Sequence, residues 1–389
     1  MNCVVLDQGS TTMKAGFCGE DHPCIVRENG VILDKKESNT TRSVLETTYD
    51  ETPSDLKYKV GTIESEDLIR PIVRGSIDNW DAMQTMWDHL LMKDLQVELE
   101  STSVCLTDNP GIKHDKVSER NKMAEYFFEH ISAPSFYVAP KPVVSLFSTG
   151  RTRGLVVAVG GGVTNITPVF EGFAISHASQ FVEFAGSDLT SYLAKLIDVE
   201  LSKSTLQDIK ETMCSVSTVQ SFTNRNSKLP GQFQLHRRKT IGESNEMEKE
   251  SSTSFELPDG TLVEIPKSCM HGVPEALFDS SVGLVKTGLS ILTVQSLDAC
   301  DKTLQHDLVR EIVIAGGSSM FNGFASRLET ELSTFLPDYT PKVIQDSQRK
   351  YASWIGASML ASLNTFSQIS ISKAEYEEDG ERIIARKCI

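Results

Sequence analysis

Apolar and polar positions fall into distinct blocks at the start of the chain. The apolar run 4–6 leads into a turn that contains Gly9, Ser10 and Thr11, and a second mostly apolar run follows. This order predicts a β-hairpin with its tip at residues 8–12. A glycine at such a tip lets the backbone approach a ligand, and consecutive N–H groups there can bind an anion. The same pattern is also typical of an ordinary hairpin that binds nothing.

Residues 154–172 repeat the order of apolar run, glycine turn and apolar run. Aligning the two stretches places Gly9 on Gly160 and Asp7 on Ala158. A weak internal repeat of this kind predicts two similar halves that clamp one ligand between them. A third glycine turn, later in the chain, also follows an apolar run and can face the same cleft.

Helical and strand periodicities alternate through the rest of the sequence. Apolar residues at helical spacing predict helices over 80–91, with Asn79 as the N-cap, and over 118–130. Short apolar runs predict further strands at 25–33, 104–107, 135–139 and 312–315, the last of which precedes the third glycine turn. Alternating strands and helices favour an α/β layer architecture.

Composition narrows the class of protein. The 389 residues suffice for two or three domains with sizeable cores. A net charge of −15 argues against a general nucleic-acid binder. The eight cysteines include no C-x-x-C pair, which argues against a disulfide framework or zinc site and favours a reducing cytosol or nucleus. The apolar runs are too short to cross a bilayer, so we expect no membrane span.

Two polar segments are predicted to lie at the surface. Residues 34–54 offer little apolar area to offset the entropy of ordering them, so we expect a mobile loop. Residues 221–254 contain the basic cluster 236–239 followed by the acidic run 243–250. This composition is typical of a disordered loop, in which the basic cluster is solvated rather than part of a binding motif.

The sequence resembles actin and the actin-related proteins along nearly its whole length. The resemblance is that of a divergent actin-related protein. Its first hairpin reads D-x-G-S-x-x-x-K-A-G-F, close to the first phosphate loop of the family. Similar family segments lie at residues 70–81, 145–152, 185–190, 208–211, 256–260, 274–278, 349–356 and 386–389. The resemblance implies an actin-like α/β fold, in which two related α/β domains flank a nucleotide cleft.

The resemblance also implies four subdomains. These are subdomain 1 at residues 1–33, 74–144 and 350–389, subdomain 2 at 34–73, subdomain 3 at 145–180 and 286–349, and subdomain 4 at 181–285. Family members make longitudinal filament contacts through subdomain 2, but the sequence of its loop here is not filament-like. Residues 221–254 form an inserted loop, longer than the usual family connection.

Matching positions imply a site for ATP or ADP. The phosphates would face Gly9, Ser10, Thr11 and Lys14 from one side, and Gly160, Gly161 and Gly162 from the other. The adenosine would be framed by Lys210, Glu211, Gly316, Gly317, Met320, Phe321 and Lys350. Asp7 would be the only metal-facing residue, acting weakly and indirectly on a hydrated cation.

The pattern around Lys210 and Glu211 predicts a helix independently. A capping box formed by Ser204 and Gln207 would open it, and its buried side would consist of Leu206, Ile209 and Met213. Lys210 and Glu211 fall outside this apolar stripe. They would therefore either face a ligand or belong to a solvated surface.

Four positions depart from the family at its reaction centre. The family has aspartates at Ala158 and Gly161, a histidine at Asn165 and a glutamine at Lys141. There, the aspartates hold metal-bound water and the other two position the attacking water, on which phosphoryl transfer depends. We therefore predict a pseudo-ATPase and no tight binding of Mg²⁺ or Ca²⁺. Lys141 either places its ammonium where the metal would lie or points to solvent.

The expected function is that of an actin-related structural or scaffolding subunit of a cytoskeletal complex, in the cytoplasm, with the nucleus left open. Protein partners would dock a helix in the apolar cleft of the family, unless its residues pack internally. That cleft corresponds to Phe147, Gly150, Thr152, Met359, Leu360, Leu363 and Thr365. Neither a membrane nor a direct nucleic-acid contact is expected.

Three alternative functions follow from the same resemblance. The first is a filament-forming actin-like ATPase, and the second is a nuclear actin-related subunit of a chromatin-remodelling complex. The third is a sugar kinase of the wider superfamily, which would need a catalytic aspartate in the second hairpin. Ala158 and Gly161 leave no such aspartate.

Overall fold

The computed structural model describes residues 2–33, 58–60, 68–110, 116–197, 199–217, 252–257 and 260–388. The predicted loop at 34–54 lies outside these ranges, as does most of the predicted insertion at 221–254. The end of that insertion, residues 252–254, belongs to a strand, so the prediction of a loop was wrong there.

Strands and helices alternate through these described ranges. The strands are β1 (Cys3–Gln8), β2 (Thr12–Phe17), β3 (Ile25–Glu28), β4 (Val31–Leu33), β5 (Tyr58–Val60), β6 (Ile72–Val73), β7 (Ser76–Ile77), β8 (Ser103–Asp108), β9 (Ser135–Pro140), β10 (Gly154–Val159), β11 (Thr164–Phe170), β12 (Phe173–Ala174), β13 (Gln180–Val182), β14 (Ser252–Glu256), β15 (Leu262–Pro266), β16 (Ile312–Ala315), β17 (Val343–Ile344) and β18 (Ile371–Ser372). The α-helices are α1 (Trp80–Asp88), α2 (Lys116–Glu125), α3 (Lys141–Phe147), α4 (Gly186–Leu196), α5 (Lys203–Met213), α6 (Lys267–Glu275), α7 (Leu289–Asp298), α8 (Lys302–Val309), α9 (Phe324–Phe335), α10 (Ala352–Ser362), α11 (Phe366–Ile369), α12 (Lys373–Asp379) and α13 (Glu381–Lys387).

The two larger sheets contain the same topological unit, a hairpin with a parallel neighbouring strand. In the first sheet the strand order is β18-β9-β8-β1-β2-β3, and in the second it is β12-β11-β10-β16-β17 with β13 beside β11. Each sheet contains an antiparallel hairpin, β1–β2 or β10–β11, whose first strand also pairs in parallel with β8 or β16. The internal repeat predicted from the glycine turns is therefore present in the sheets. The subdomain boundaries remain a prediction.

Both hairpins begin on strands that are covered on two faces. Leu6 of β1 packs into a core with Trp87, whereas Val5 packs on the other side with Trp354. Trp354 Nε1 also donates to the Val5 carbonyl at 3.0 Å. In β10 the alternate residues are buried in two separate clusters in the same way. Strands buried on both faces give the two hairpin tips a fixed base.

The predicted helices and strands are found with shifted ends. Asn79 caps α1 by accepting from the Ala82 N–H at 3.0 Å, as predicted, but α-helical geometry ends at Asp88 and a π-helical turn follows over His89–Asp94. The second predicted helix likewise changes from α2 to a π-helical turn over Tyr126–His130.

The single strand predicted over 25–33 is two strands. Asn29 interrupts it, because its backbone N–H donates to the Thr11 carbonyl at 2.9 Å and its Nδ2 donates to the Gly9 carbonyl at 2.7 Å. The residue thus bends toward the first hairpin tip and fixes the carbonyl groups there. Within the described ranges, no helix combines the length and apolar content needed to span a bilayer.

Candidate functional site

A cavity of about 310 Å³ lies between the two hairpins. It is lined by every residue predicted to contact a nucleotide or metal: Asp7, Gly9, Ser10, Thr11, Lys14, Gly160, Gly161, Gly162, Lys210, Glu211, Gly316, Gly317, Met320, Phe321 and Lys350. Lys141, Ala158 and Asn165 line it as well. The positions singled out from the sequence therefore meet at one place in the fold.

The two glycine turns have the same hydrogen-bonded geometry. In the first, the Gly9 N–H donates to the Thr12 carbonyl at 3.0 Å; in the second, the Gly160 N–H donates to the Val163 carbonyl at 3.0 Å. A Cβ on Gly9 would lie 2.8 Å from the Thr12 oxygen, so a side chain has no room there. The backbone of the repeat is preserved in both halves.

Asp7 lies in β1 next to the tip of the first hairpin and is only 2% exposed. Its Oδ2 accepts from Lys14 Nζ at 2.6 Å, and its Oδ1 accepts from Thr107 Oγ1 at 2.7 Å. Lys141 Nζ lies 3.2 Å from the same Oδ1. Burial alone would raise the pKa of Asp7, but the ammonium groups of Lys14 and Lys141 outweigh it and hold that pKa well below its ordinary value.

Lys141 points into the cavity from the first position of α3. Its ammonium donates to the Gln8 carbonyl and contacts Asp7, and its side chain is largely buried. The alternative in which Lys141 points to solvent is therefore wrong. Burial lowers the pKa of Lys141, and the attraction of Asp7 opposes that shift.

The second hairpin offers no charge at the equivalent positions. Ala158 pairs with Asn165 across β10 and β11, in the place where Asp7 and Lys14 pair in the first hairpin. Asn165 Nδ2 donates to Asn109 Oδ1 at 3.1 Å, and its own buried Oδ1 accepts no hydrogen bond from the described residues. The two hairpins thus share a backbone but differ in electrostatic character.

The tips of the two hairpins approach each other closely. A Cβ on Gly161 would lie 2.4 Å from Thr11 Oγ1, and a Cβ on Gly162 would lie 2.4 Å from Ser10 Oγ. Only glycine at both positions allows the tips to approach this closely. The cavity is consequently narrow at the end where phosphates are predicted.

Arg74 joins the two halves beside these tips. Its guanidinium donates to both carboxylate oxygens of Asp188, at 2.6 and 2.7 Å, and to the Gly162 carbonyl at 3.1 Å. The bond to Asp188 raises the pKa of Arg74. Asp188 also accepts from the Ala185 N–H at 2.9 Å at the start of α4. Sequence reasoning missed this pair, because no local pattern links residues so far apart in the chain.

Lys210 and Glu211 line the cavity from α5. Lys210 is buried, and its ammonium donates to the Gly186 carbonyl at 3.0 Å and to Thr190 Oγ1 at 2.8 Å. Burial lowers the pKa of Lys210. Glu211 is exposed and accepts from Gln207. Of the two alternatives for Lys210, the solvated surface is therefore wrong.

The start of α5 also differs from the prediction. The helix begins at Lys203 rather than after Ser204, because the Ser202 side chain accepts from the Thr205 N–H at 3.1 Å. Gln207 does not close a capping box and instead reaches Glu211. Among the residues that the sequence did not single out, Thr12, Asn109, Val163, Gly186, Ser187, Thr190, Ala315, Ser318 and Ser353 also line the cavity.

The third glycine turn abuts the second hairpin through Gly316. Its φ is +89°, and a Cβ there would lie 2.3 Å from the Val159 carbonyl oxygen. Only glycine satisfies both constraints, so the position is set by the backbone. Of the neighbouring residues predicted to frame adenosine, Met320 is exposed and Phe321 is buried.

The residues of the cavity fit an anion better than a divalent cation. Magnesium and calcium need carboxylate or carbonyl oxygens that are free to bind them or their water. The carboxylates lining the cavity belong to Asp7 and Glu211, and Asp7 is already paired with two ammonium groups. Across the described ranges, no cluster of three or more His, Cys, Asp or Glu residues could hold a metal. The glycine turns, Lys14 and Lys141 provide the donors that a phosphate requires.

The comparison with known proteins agrees with this geometry. The Actin family model matches residues 1–204 and 200–389. The chain belongs to the actin family. It is 32% identical to actin-like protein 9 of Bos taurus, over 99% of this chain and 88% of that protein. It is thus a divergent actin-related protein, in a family whose members generally bind ATP or ADP with a divalent cation and act in protein assemblies.

The apolar cleft predicted for partners is partly exposed. Met359 and Leu363 on and after α10 are 45% and 54% exposed. Leu360 and Phe147 are half-buried, and both pack against buried core residues. The remaining members, Gly150, Thr152 and Thr365, are exposed. Some of these residues therefore support the fold, and others are available to a partner.

Proposed function

We propose that this actin-related protein holds ATP or ADP in its cleft without efficient hydrolysis and serves as a structural subunit of a cytoskeletal complex. One observation supports this most directly. Glycine turns that suit phosphates are present in both halves and Lys14 and Lys141 line the cavity beside them, whereas the second hairpin has Ala158, Gly161 and Asn165 in place of acidic and imidazole groups. The cleft has the groups that suit a bound nucleotide and lacks the groups that would hydrolyse it.

The chemistry of phosphoryl transfer explains the proposed loss of activity. Hydrolysis needs charge neutralisation at the transferred phosphoryl group and a group that orients the attacking water. Lys14 and Lys141 supply positive charge, but Asn165 is a neutral amide held by Asn109. Lys141 is held by Asp7 and Gln8 and has no lone pair to orient water while it is protonated.

Purified full-length protein tests both parts of this activity claim. Nucleotide released by denaturation is identified by ion-exchange chromatography, and phosphate release from added ATP is followed over time. We expect bound nucleotide and turnover no faster than that of heat-inactivated protein. Sustained turnover would contradict the proposal if it disappears in a Lys14→Met variant, because contaminating ATPases would be unaffected by that change.

The partner role rests on the exposed part of the apolar cleft. A partner helix with apolar residues at helical spacing would cover Met359 and Leu363. Affinity purification of the full chain from its own cells, followed by mass spectrometry, should recover cytoskeletal assembly proteins from the cytoplasm. Recovery of chromatin-remodelling subunits, or sedimentation of the pure protein as filaments, would contradict this role.

A matched pair of variants localises the contact. We expect Met359→Asp with Leu363→Asp to lose the recovered partners. Leu262→Asp is the control, because Leu262 is 64% exposed on β15, in the separate two-stranded sheet β14–β15. Equal recovery with all variants would show that partners bind elsewhere.

A further inference from the structure

The contacts of Asp7 leave little capacity for a hydrated metal. A carboxylate that serves such an ion must present an oxygen to the water around it. Here Oδ2 accepts from Lys14 at 2.6 Å, and Oδ1 accepts from Thr107 at 2.7 Å with Lys141 at 3.2 Å. Three of the roughly four acceptor positions of this carboxylate are therefore taken by donors of the protein itself.

Lys141 brings a second ammonium group to the same place. Its ammonium has three N–H donors, and the structure records two acceptors for them, Asp7 and the Gln8 carbonyl. Lys141 also lines the cavity with Lys14. Two ammonium groups against one carboxylate leave an excess of positive charge at the narrow end, before any ion binds.

The second hairpin lacks the negative charge that a divalent ion would balance. Ala158 and Gly161 carry no carboxylate, and Asn165 is neutral. A magnesium ion added next to Lys14 and Lys141 would meet repulsion from both ammonium groups, while Asp7 is already paired and the second hairpin has no acid to offset it. A polyphosphate without a bound metal ion would instead be attracted by both ammonium groups.

We propose that the cleft binds the polyphosphate of a nucleotide without a divalent cation, and that the Lys141 ammonium takes the place of the metal. This inference rests on the proposed nucleotide binding. The lysine is held in position by Asp7 and Gln8, so its charge is available without an ion being recruited from solution. Glutamine, the family residue at this position, would provide no such charge.

Nucleotide affinity with and without metal tests the inference on the unmodified protein. Full-length protein is stripped of nucleotide and titrated by calorimetry with ATP, once in excess EDTA and once in excess MgCl₂. We expect ATP affinity in EDTA to equal or exceed that in MgCl₂. Binding that weakens by about tenfold or more in EDTA would overturn the inference.

Variants at position 141 test the residue itself. We expect Lys141→Gln to weaken ATP binding in EDTA by about tenfold or more, as loss of a charge-assisted contact to phosphate predicts, and Lys141→Arg to retain most of it. Lys302→Gln is the control, because Lys302 is exposed at the start of α8 and does not line the cavity. Unchanged affinity in folded Lys141→Gln would contradict the role of Lys141.

The outcomes separate the two proposals. Absence of ATP and ADP binding under both conditions would overturn the proposed nucleotide binding and the inference with it. Binding that requires MgCl₂ would leave the proposed function intact and overturn the inference alone. The comparison of EDTA with MgCl₂ decides the question even if a variant fails to fold.

Discussion

The hairpins β1–β2 and β10–β11 have the same backbone and different chemistry. Both place a parallel neighbour beside their first strand, and both close their turn with an N–H to carbonyl bond of 3.0 Å. In the first, Asp7 pairs with Lys14 across the strands; in the second, Ala158 pairs with Asn165. Glycines and sheet topology maintain the shape, whereas two or three side chains determine what the shape can do.

Removing the acid of the first hairpin should have the largest effect on stability. Asp7→Asn leaves Lys14 and Lys141 buried without a counter-ion, so we expect a loss of about 3–5 kcal/mol in the free energy of unfolding. Asn165→Ala in the second hairpin should cost no more than about 1 kcal/mol, because it removes one neutral hydrogen bond. Thermal and urea unfolding of both variants measure the difference, and equal losses would contradict the contrast between the hairpins.

The pH dependence of that effect has a definite sign. The folded pKa of Asp7 lies below its unfolded value of about 3.9, so the unfolded state binds the proton more readily in acid. The contribution of Asp7 is therefore complete above about pH 5 and declines as the pH falls below that. The stability gap between wild type and Asp7→Asn should narrow in acid; a gap that widens would contradict the ion pairing.

Disturbing the backbone of the second half should have the next largest effect. Gly316→Ala forces a positive φ on alanine and puts its Cβ against the Val159 carbonyl, so we expect a loss of about 3 kcal/mol. Gly317→Ala is the matched control, because a Cβ at Gly317 meets no atom within 4 Å. A melting temperature that falls equally in both variants would show that the turn geometry is not the cause.

Giving the second hairpin an acid should convert the cleft toward metal dependence. We expect Ala158→Asp combined with Lys141→Gln to bind ATP about tenfold more tightly in MgCl₂ than in EDTA, unlike the wild type. Lys302→Gln with Ala158→Asp controls for the change in net charge. Equal ATP affinities in MgCl₂ and EDTA for the Ala158→Asp, Lys141→Gln variant would mean that other residues exclude the ion.

Weakening the bond that joins the two halves should have the smallest effect on stability and a clear effect on the rate of nucleotide release. Asp188→Asn weakens the bidentate bond to Arg74 that joins the halves, and the partial exposure of both groups limits the loss to about 1 kcal/mol. We expect faster release of a bound fluorescent nucleotide, measured by stopped flow. Ser191→Ala, exposed on the same helix, is the control. An unchanged release rate would mean that the bond does not hold the cleft closed.

Much of the fold could be predicted because its signals are local. Asn79 precedes a helical apolar pattern, and the glycine turns follow apolar runs, so both were recognisable before any contact was known. The two phosphate-facing turns were predicted from the repeat itself, but the residues around the adenosine were predicted only through resemblance, since nothing local to Lys350 or Phe321 indicates a shared ligand. Their common location was expected because the matching family segments surround one nucleotide cleft.

Prediction from the sequence was wrong, or left two alternatives open, where distant contacts decide the outcome. Lys210 lies outside the apolar stripe of α5, yet acceptors on α4 draw it inward. Asn29 breaks a strand because the first hairpin tip accepts its hydrogen bonds. The direction of Lys141 depended on Asp7, far away in sequence. Such partners are fixed by tertiary structure and leave no periodic signal in the chain.

The close approach of the two tips bears on how this protein can evolve. A side chain restored at position 161 would meet both γ atoms of Thr11, and the Thr11 Cβ is itself only 3.1 Å away, so rotating that side chain does not clear the space. An acid at 161 therefore requires an accompanying change in the opposite hairpin, so a single substitution cannot give this turn a carboxylate without moving Thr11.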